Sequence, residues 1–155
     1  MKKIVFISST GGHLSEMLRL DKLINKYDSY IITEKTKSTV ALKEKRDKVY
    51  YVVYGTKSKP FSYFFKCIIN FFINLYLFIK IRPDIVISTG AHTAFIMCYL
   101  AKIFRKKVIY IETFANFKTK SLTGKLVYPI ADLFLVQWEE MLKLYPKAKY
   151  AGRVY

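Results

Sequence analysis

Apolar residues along this chain gather in six short runs, separated by stretches in which they recur at helical spacing. The runs, near 3–8, 29–33, 48–54, 84–88, 107–112 and 132–136, predict buried strands. Helices are predicted near 14–26, 38–46, 61–81, 92–104, 121–129 and 138–144. In the first of these, Leu14, Met17, Leu18, Leu20 and Leu23-Ile24 keep one face apolar. Alternating strands and helices imply an α/β fold, a mostly parallel sheet covered on both faces. Right-handed crossovers make that sheet doubly wound. If the strand order is 3-2-1-4-5-6, the first and fourth strands are neighbours where the order reverses.

Two loops would meet at that reversal. The run Ile4-Val5-Phe6-Ile7 is followed by Ser8-Ser9-Thr10-Gly11-Gly12-His13, a strand turning sharply into a helix. Glycines there allow a tight turn and a close backbone approach to a ligand, and free N–H groups at a helix start favour an anion. His13 adds a side chain that exchanges a proton near neutral pH. The fourth strand leads into Thr89-Gly90-Ala91-His92, so two glycine-bearing loops, each with a histidine, are expected to share one crevice. Taken singly, His13 reads equally as a turn residue and His92 as a solvent-facing helix start.

The stretch 59–82 has its own pattern. From Phe64 to Ile81 the polar residues are Lys66, Asn70, Asn74 and Lys80. On a helical wheel Lys59, Ser62, Lys66, Asn70, Asn74 and Lys80 fall within an arc of roughly 120°. Phe64, Phe65, Phe71 and Phe72 belong to the wide apolar remainder. One reading is a helix lying in a membrane interface, its aromatics among acyl chains and Lys59, Lys66, Lys80 and Arg82 at anionic headgroups. The other is a crossover helix wholly covered by protein.

Composition narrows the choices. A length of 155 residues suits one domain, 1–155. Lys and Arg number 27 against 11 Asp and Glu, a net charge of +16, so the partner should be anionic: a lipid surface, a phosphorylated substrate or nucleic acid. Cys67 and Cys98 sit in apolar segments without metal-ligand spacing, so reduced, buried thiols are expected and no metal site. No signal-peptide pattern opens the chain, which points to the cytoplasm. Glu34 stands where a dinucleotide site would carry its acid, but Thr10 and Leu14 interrupt the three-glycine fingerprint, and no phosphate loop ending in Gly-Lys-Ser/Thr is present. No cofactor is expected. Glu112 closes a strand at the ligand edge of the sheet, where it would orient a histidine, bind a sugar hydroxyl or pair with a lysine. The polar loop after it, with Thr119, Ser121, Thr123 and Gly124, suits hydroxyl or phosphate contacts. Trp138 reads as core packing or as part of a partner surface.

Four ordered blocks carry a family resemblance: Gly-Gly-His-Leu-Ser-Glu-Met-Leu-Arg-Leu (11–20); Ile87-Ser88-Thr89-Gly90-Ala91; Tyr110 to Ala115 with Ser121 to Leu126; and Tyr128 to Phe134 with Val136-Gln137-Trp138. The chain resembles the membrane-anchoring subunit of the two-part UDP-N-acetylglucosamine transferase of lipid-linked oligosaccharide assembly, and its bacterial capsule and exopolysaccharide counterparts. More distantly it is similar to the N-terminal half of MurG-type transferases. The resemblance implies a Rossmann-like domain equivalent to the N-terminal half of a GT-B glycosyltransferase. It further implies a soluble, UDP-sugar-binding catalytic subunit as partner, a polyprenyl-diphosphate-linked saccharide as acceptor, and residence at the cytoplasmic face of the cell membrane as a peripheral, monotopic protein. On that reading nucleic acid is not a partner, and the chain is inactive alone. His13 is the expected base and Glu112 its or the acceptor's orienter. Gly11, Gly12, Thr89, Gly90, His92, Ser121 and Thr123 are the expected acceptor and phosphate contacts. A scaffold that only anchors and activates the partner is the alternative; it predicts that loop substitutions leave turnover intact.

Overall fold

The computed structural model describes residues 1–55, 60–91 and 93–154, except for the side chains of Pro60 and Ser62. Seven parallel strands form one sheet in the order β3-β2-β1-β4-β5-β6-β7. They are β1 (Lys3–Ser8), β2 (Asp28–Glu34), β3 (Val49–Val52), β4 (Ile85–Gly90), β5 (Lys107–Ile111), β6 (Leu133–Val136) and β7 (Lys149–Tyr150). The helices are α1 (Gly12–Leu18), α2 (Asp21–Lys26), α3 (Leu42–Lys45), α4 (Pro60–Ile81), α5 (Ala94–Ile103) and α6 (Leu122–Val127), with a 3-10 helix at Glu139–Lys143. The doubly wound order expected from the pattern of apolar runs is therefore present, extended by the short β7.

Alternation along the strands separates two cores. Ile4 and Phe6 of β1 pack with Leu14, Met17 and Ile24 under α1 and α2. Val5 and Ile7 pack on the opposite face with Leu77, Phe78, Met97 and Val127 under α4, α5 and α6. Each such fully buried side chain contributes about 1.5–3 kcal/mol.

Two predicted helices are shorter than their periodicity suggests. The segment 14–26 breaks at Leu20, which leaves helical geometry (φ −75°, ψ 27°), and a new helix starts at Asp21. An acid in a first turn complements the helix dipole, and Asp21 is tied to Asn25 at 3.1 Å and to Arg46. In 38–46 the Thr39 hydroxyl donates to the Glu34 carbonyl at 2.7 Å and accepts from the Thr36 N–H at 2.9 Å. Those bonds hold a turn in place of a helical start, and only Leu42–Lys45 is helical.

The helix α4 is docked with the two asparagines of its polar stripe inward. The Asn70 amide accepts from the Val53 N–H at 2.7 Å and donates to the Val53 carbonyl at 2.9 Å, just past the end of β3. Asn74 donates to the Asn70 carbonyl at 2.7 Å. Both asparagines are buried, with Leu77, Phe78 and Ile81 following on the same side. On the interface reading the lysines of the polar arc meet headgroups; its asparagines do not, since Asn70 satisfies Val53 beyond β3 and Asn74 bonds within α4.

A crevice built on two loops

β1 and β4 pair from Ile4–Ile85 to Ser8–Gly90, with a register shift before Ser8. The strand order reverses between them, and the loops at their C-terminal ends are locked together. The ring nitrogen Nδ1 of His13 lies 2.8 Å from the Thr89 carbonyl oxygen, while the Thr89 hydroxyl donates to the His13 carbonyl at 2.8 Å. The Ser9 N–H donates to the Gly90 carbonyl at 3.0 Å. A carbonyl oxygen can only accept, so Nδ1 carries a proton, and the tautomer this contact selects has its lone pair at Nε2. That tautomer suits a base. Gly90 makes the approach possible: its φ is +97°, and a Cβ there would lie 3.1 Å from two atoms of the His13 ring and 3.2 Å from the Tyr110 hydroxyl.

The opposite rim of the loop is open. Gly11 and Gly12 are exposed, and nothing lies within 4 Å of where their Cβ atoms would be. Thr10 is held by its N–H to the Glu34 carboxylate at 3.1 Å. Glu34 is thus turned into the protein to secure this loop, where a dinucleotide site would present it to a ribose.

Glu112 does different work from the expected orientation of His13. It is 1% exposed. Its carboxylate accepts from the Ser121 hydroxyl at 3.0 Å, the Tyr145 hydroxyl at 2.9 Å and the Thr113 N–H at 3.2 Å. Among the described residues no hydrogen bond joins it to His13. Ser121 in turn caps α6 by accepting from the Gly124 N–H at 2.9 Å. Gly124 carries no side chain for a concrete reason: a Cβ would stand 2.2 Å from the Glu112 carboxylate. Burial, followed by the neighbouring Glu112 charge, pushes the Tyr145 phenol upward, so it stays a donor. Glu112 and Ser121 thereby fix the β5–α6 loop. Thr89 and Thr123, expected to touch a ligand, are buried at 0% and 4% exposure, and the Thr89 hydroxyl is spent on the His13 carbonyl. His92 and Lys59 lie outside the described residues.

Glu16 was not singled out from the sequence. One of its oxygens accepts from the Thr113 hydroxyl at 2.9 Å and the Phe114 N–H at 3.1 Å, joining α1 to the β5 loop. Trp138, weighed as core or partner surface, donates to the Phe114 carbonyl at 2.8 Å and packs on that ring at 4.6 Å between centroids.

The described residues expected at a membrane lie on or beside the outer face of α4. Phe64, Phe65, Phe71 and Phe72 are exposed, as are Lys80 and Arg82, with Lys66 half-buried. The stretch Tyr63–Ile81 is long and apolar enough to cross a membrane, and 28% of it is buried. A crossover helix covered by this chain alone would be mostly buried, so the outer face of α4 is open within the chain.

Comparison with known proteins agrees with this geometry. Residues 3–154 match the model of the family described as "Oligosaccharide biosynthesis protein Alg14 like". The UDP-N-acetylglucosamine transferase subunit alg14 of Schizosaccharomyces pombe is 30% identical over 176 residues, covering 99% of this chain and 83% of that protein. The human subunit of the same name is 29% identical over 177 residues, with 97% and 82% covered. Among solved structures, Acinetobacter baumannii MurG superposes with a TM-score of 0.72 at 17% identity, over 90% of this chain and 43% of that one. The UDP-N-acetylglucosamine 2-epimerase of Rickettsia bellii gives 0.73 at 13%, over 99% and 45%. These likenesses show the fold, and the chain spans less than half of either protein.

Proposed function

This chain belongs to the Alg14-like family of oligosaccharide biosynthesis proteins, and on that premise we propose that it is the acceptor-side subunit of a two-part glycosyltransferase. A separate catalytic subunit supplies the UDP-sugar pocket, and the reaction crevice closes between the two. The acceptor is a saccharide carried on polyprenyl diphosphate. The named relatives are N-acetylglucosamine transferase subunits, which favours N-acetylglucosamine as the sugar. It also favours a lipid-linked oligosaccharide as product over the capsule or exopolysaccharide expected from the bacterial likeness.

The observation that carries the reading is His13, fixed by the Thr89 carbonyl, with no hydrogen bond to its second nitrogen among the described residues. In the transfer, an acceptor hydroxyl gives its proton to His13 Nε2 as its oxygen bonds the anomeric carbon. The bond from that carbon to the UDP oxygen breaks, and UDP leaves with the electron pair. The exposed backbone at Gly11 and Gly12 supports an approach of the acceptor diphosphate to within hydrogen-bond distance. The aromatic face of α4 rests in the interface on the cytoplasmic side, where each basic residue at the surface contributes about 1 kcal/mol. This places the crevice where the lipid acceptor resides.

The test is His13→Ala in the complex of this chain with its catalytic subunit, assayed with UDP-N-acetylglucosamine and a lipid-linked acceptor. A general base contributes typically about 10²–10⁴-fold, and a loss of that size at unchanged subunit association is expected. Near wild-type turnover would establish the scaffold reading instead.

A further inference from the structure

A cavity of about 350 Å³ opens beside the His13 loop, lined by Gly12, Glu16, Arg19, Phe114, Gln137 and Arg153 among others. We propose that it is a subsite for a sugar diphosphate, with Arg19 and Arg153 on the phosphates and Glu16 on a hydroxyl of the attached sugar. The assignment rests on the glycosyltransferase reading above and adds residues to it.

Four segments build the cavity: α1 brings Glu16, with Arg19 at its C-terminal cap, the β5 loop brings Phe114, the end of β6 leads into Gln137, and the chain beyond β7 brings Arg153. That last stretch is tied down: the Ala151 N–H donates to the Val136 carbonyl at 3.0 Å, and the Val154 N–H to the Gln137 side chain at 3.2 Å. Gln137 is itself anchored on the Glu112 carbonyl at 3.0 Å. The Arg153 guanidinium stands 5.1 Å above the Phe114 ring, which holds its planar fork in place.

The charges are unusual for their surroundings. Only five of the 27 basic residues are arginines (Arg19, Arg46, Arg82, Arg105 and Arg153), and two of the five line this one cavity. Lysine suffices for a general positive field, whereas guanidinium matches phosphate oxygens in pairs. Among the described residues neither Arg19 nor Arg153 has a carboxylate partner. Glu16 contributes the opposite chemistry. Its Oε1 is committed to Thr113 and Phe114, but Oε2 has no hydrogen-bond partner among the described residues. A buried, unpaired carboxylate oxygen is costly, and a sugar hydroxyl in the cavity would satisfy it. A ligand with an anionic end and a hydroxyl-bearing end fits both groups. A nucleotide sugar and a lipid-linked saccharide share that chemistry.

The direct test is titration of inorganic pyrophosphate into the full chain by calorimetry. Arg19→Gln and Arg153→Gln should each weaken binding at least fivefold, while Lys22→Gln, an equal charge change on α2, should alter it less than twofold. In the assembled transferase the same arginine variants should raise one KM: that for UDP-N-acetylglucosamine if the donor occupies the site, that for the lipid-linked acceptor if the acceptor does. Glu16→Gln should raise the same KM without weakening pyrophosphate. Absent pyrophosphate binding, or an equal loss in Lys22→Gln, would overturn the subsite. If the complex transfers no sugar while pyrophosphate binding follows the arginines, the glycosyltransferase reading falls and the anion site stands.

Discussion

α4 and α5 lie on the same face of the sheet and are both strongly apolar, yet they are built for opposite surroundings. α5 sits between α4 and α6 over the middle strands. Its inner positions are small or slender: Ala94, Met97, Cys98 and Ala101 are all 0% exposed. α4 lies toward the β3 edge, flanked by α5 on one side, and carries phenylalanines outward with asparagines inward. Apolar content alone does not separate a core helix from a membrane-facing one. Residue size and the placement of the few polar groups do. Small residues let a helix sink onto a sheet, whereas inward amides fasten it by hydrogen bonds and leave its other face open, as the proposed contact with lipid requires.

The strongest way to break that contrast is to put one charge on each helix. Ala101→Asp on α5 would bury an unpaired carboxylate, at a cost of several kcal/mol, and should abolish cooperative unfolding. Phe72→Asp on α4 begins 62% exposed, so its urea midpoint should stay near wild type while co-sedimentation with anionic vesicles drops at least tenfold. Equal destabilisation by both would mean that the outer face of α4 is covered in the folded protein. The next effect concerns the fastening. Asn70→Leu makes α4 more apolar, so a helix held only by hydrophobic contact would tolerate it. Here it strands the Val53 N–H and carbonyl, at about 1–3 kcal/mol for each group, and a loss of about 3 kcal/mol in denaturant titration is expected. An unchanged or raised stability would show that the amide does not hold the helix.

The same contrast marks what could be read in advance. The β1 and β4 loops were legible because each follows a continuous apolar run and carries its own glycine, both local signals. The direction of α4 was not, since a helical wheel groups Asn70 with Lys66 and Lys80 but does not say which arc meets the protein. Val53, which decides it, is 17 residues away. Glu112 was placed correctly at the strand end, but its partner Tyr145 lies 33 residues further on, beyond any spacing rule. Glu16 and Arg153 share a cavity only because the chain beyond β7 is bonded back over Val136 and Gln137. His13 is flagged by its own loop, yet Thr89, which fixes its ring, is 76 residues away.

The finest distinction is carried by one thiol on each helix. Cys67 on α4 is half-buried and Cys98 on α5 fully buried, so at pH 8 a thiol reagent should modify Cys67 in the native protein and Cys98 only after unfolding. Burial raises the Cys98 thiol to about 12, against a weaker opposite pull from the Ser88 hydroxyl. A folded-state value above the unfolded one means that the native state is favoured while the thiol stays protonated in both states. That advantage is whole below the unfolded value of about 8.5 and is lost as pH rises toward the folded one. The slope is about 1.4 kcal/mol per pH unit for one group. Comparing wild type with Cys98→Ala cancels the other titrating groups, and the stability gap between them should shrink by about 2 kcal/mol from pH 8 to pH 10. A constant gap, or native labelling of Cys98 at the rate of Cys67, would mean that water reaches the inner side of α5. Its small residues would then not be what seals the helix onto the sheet.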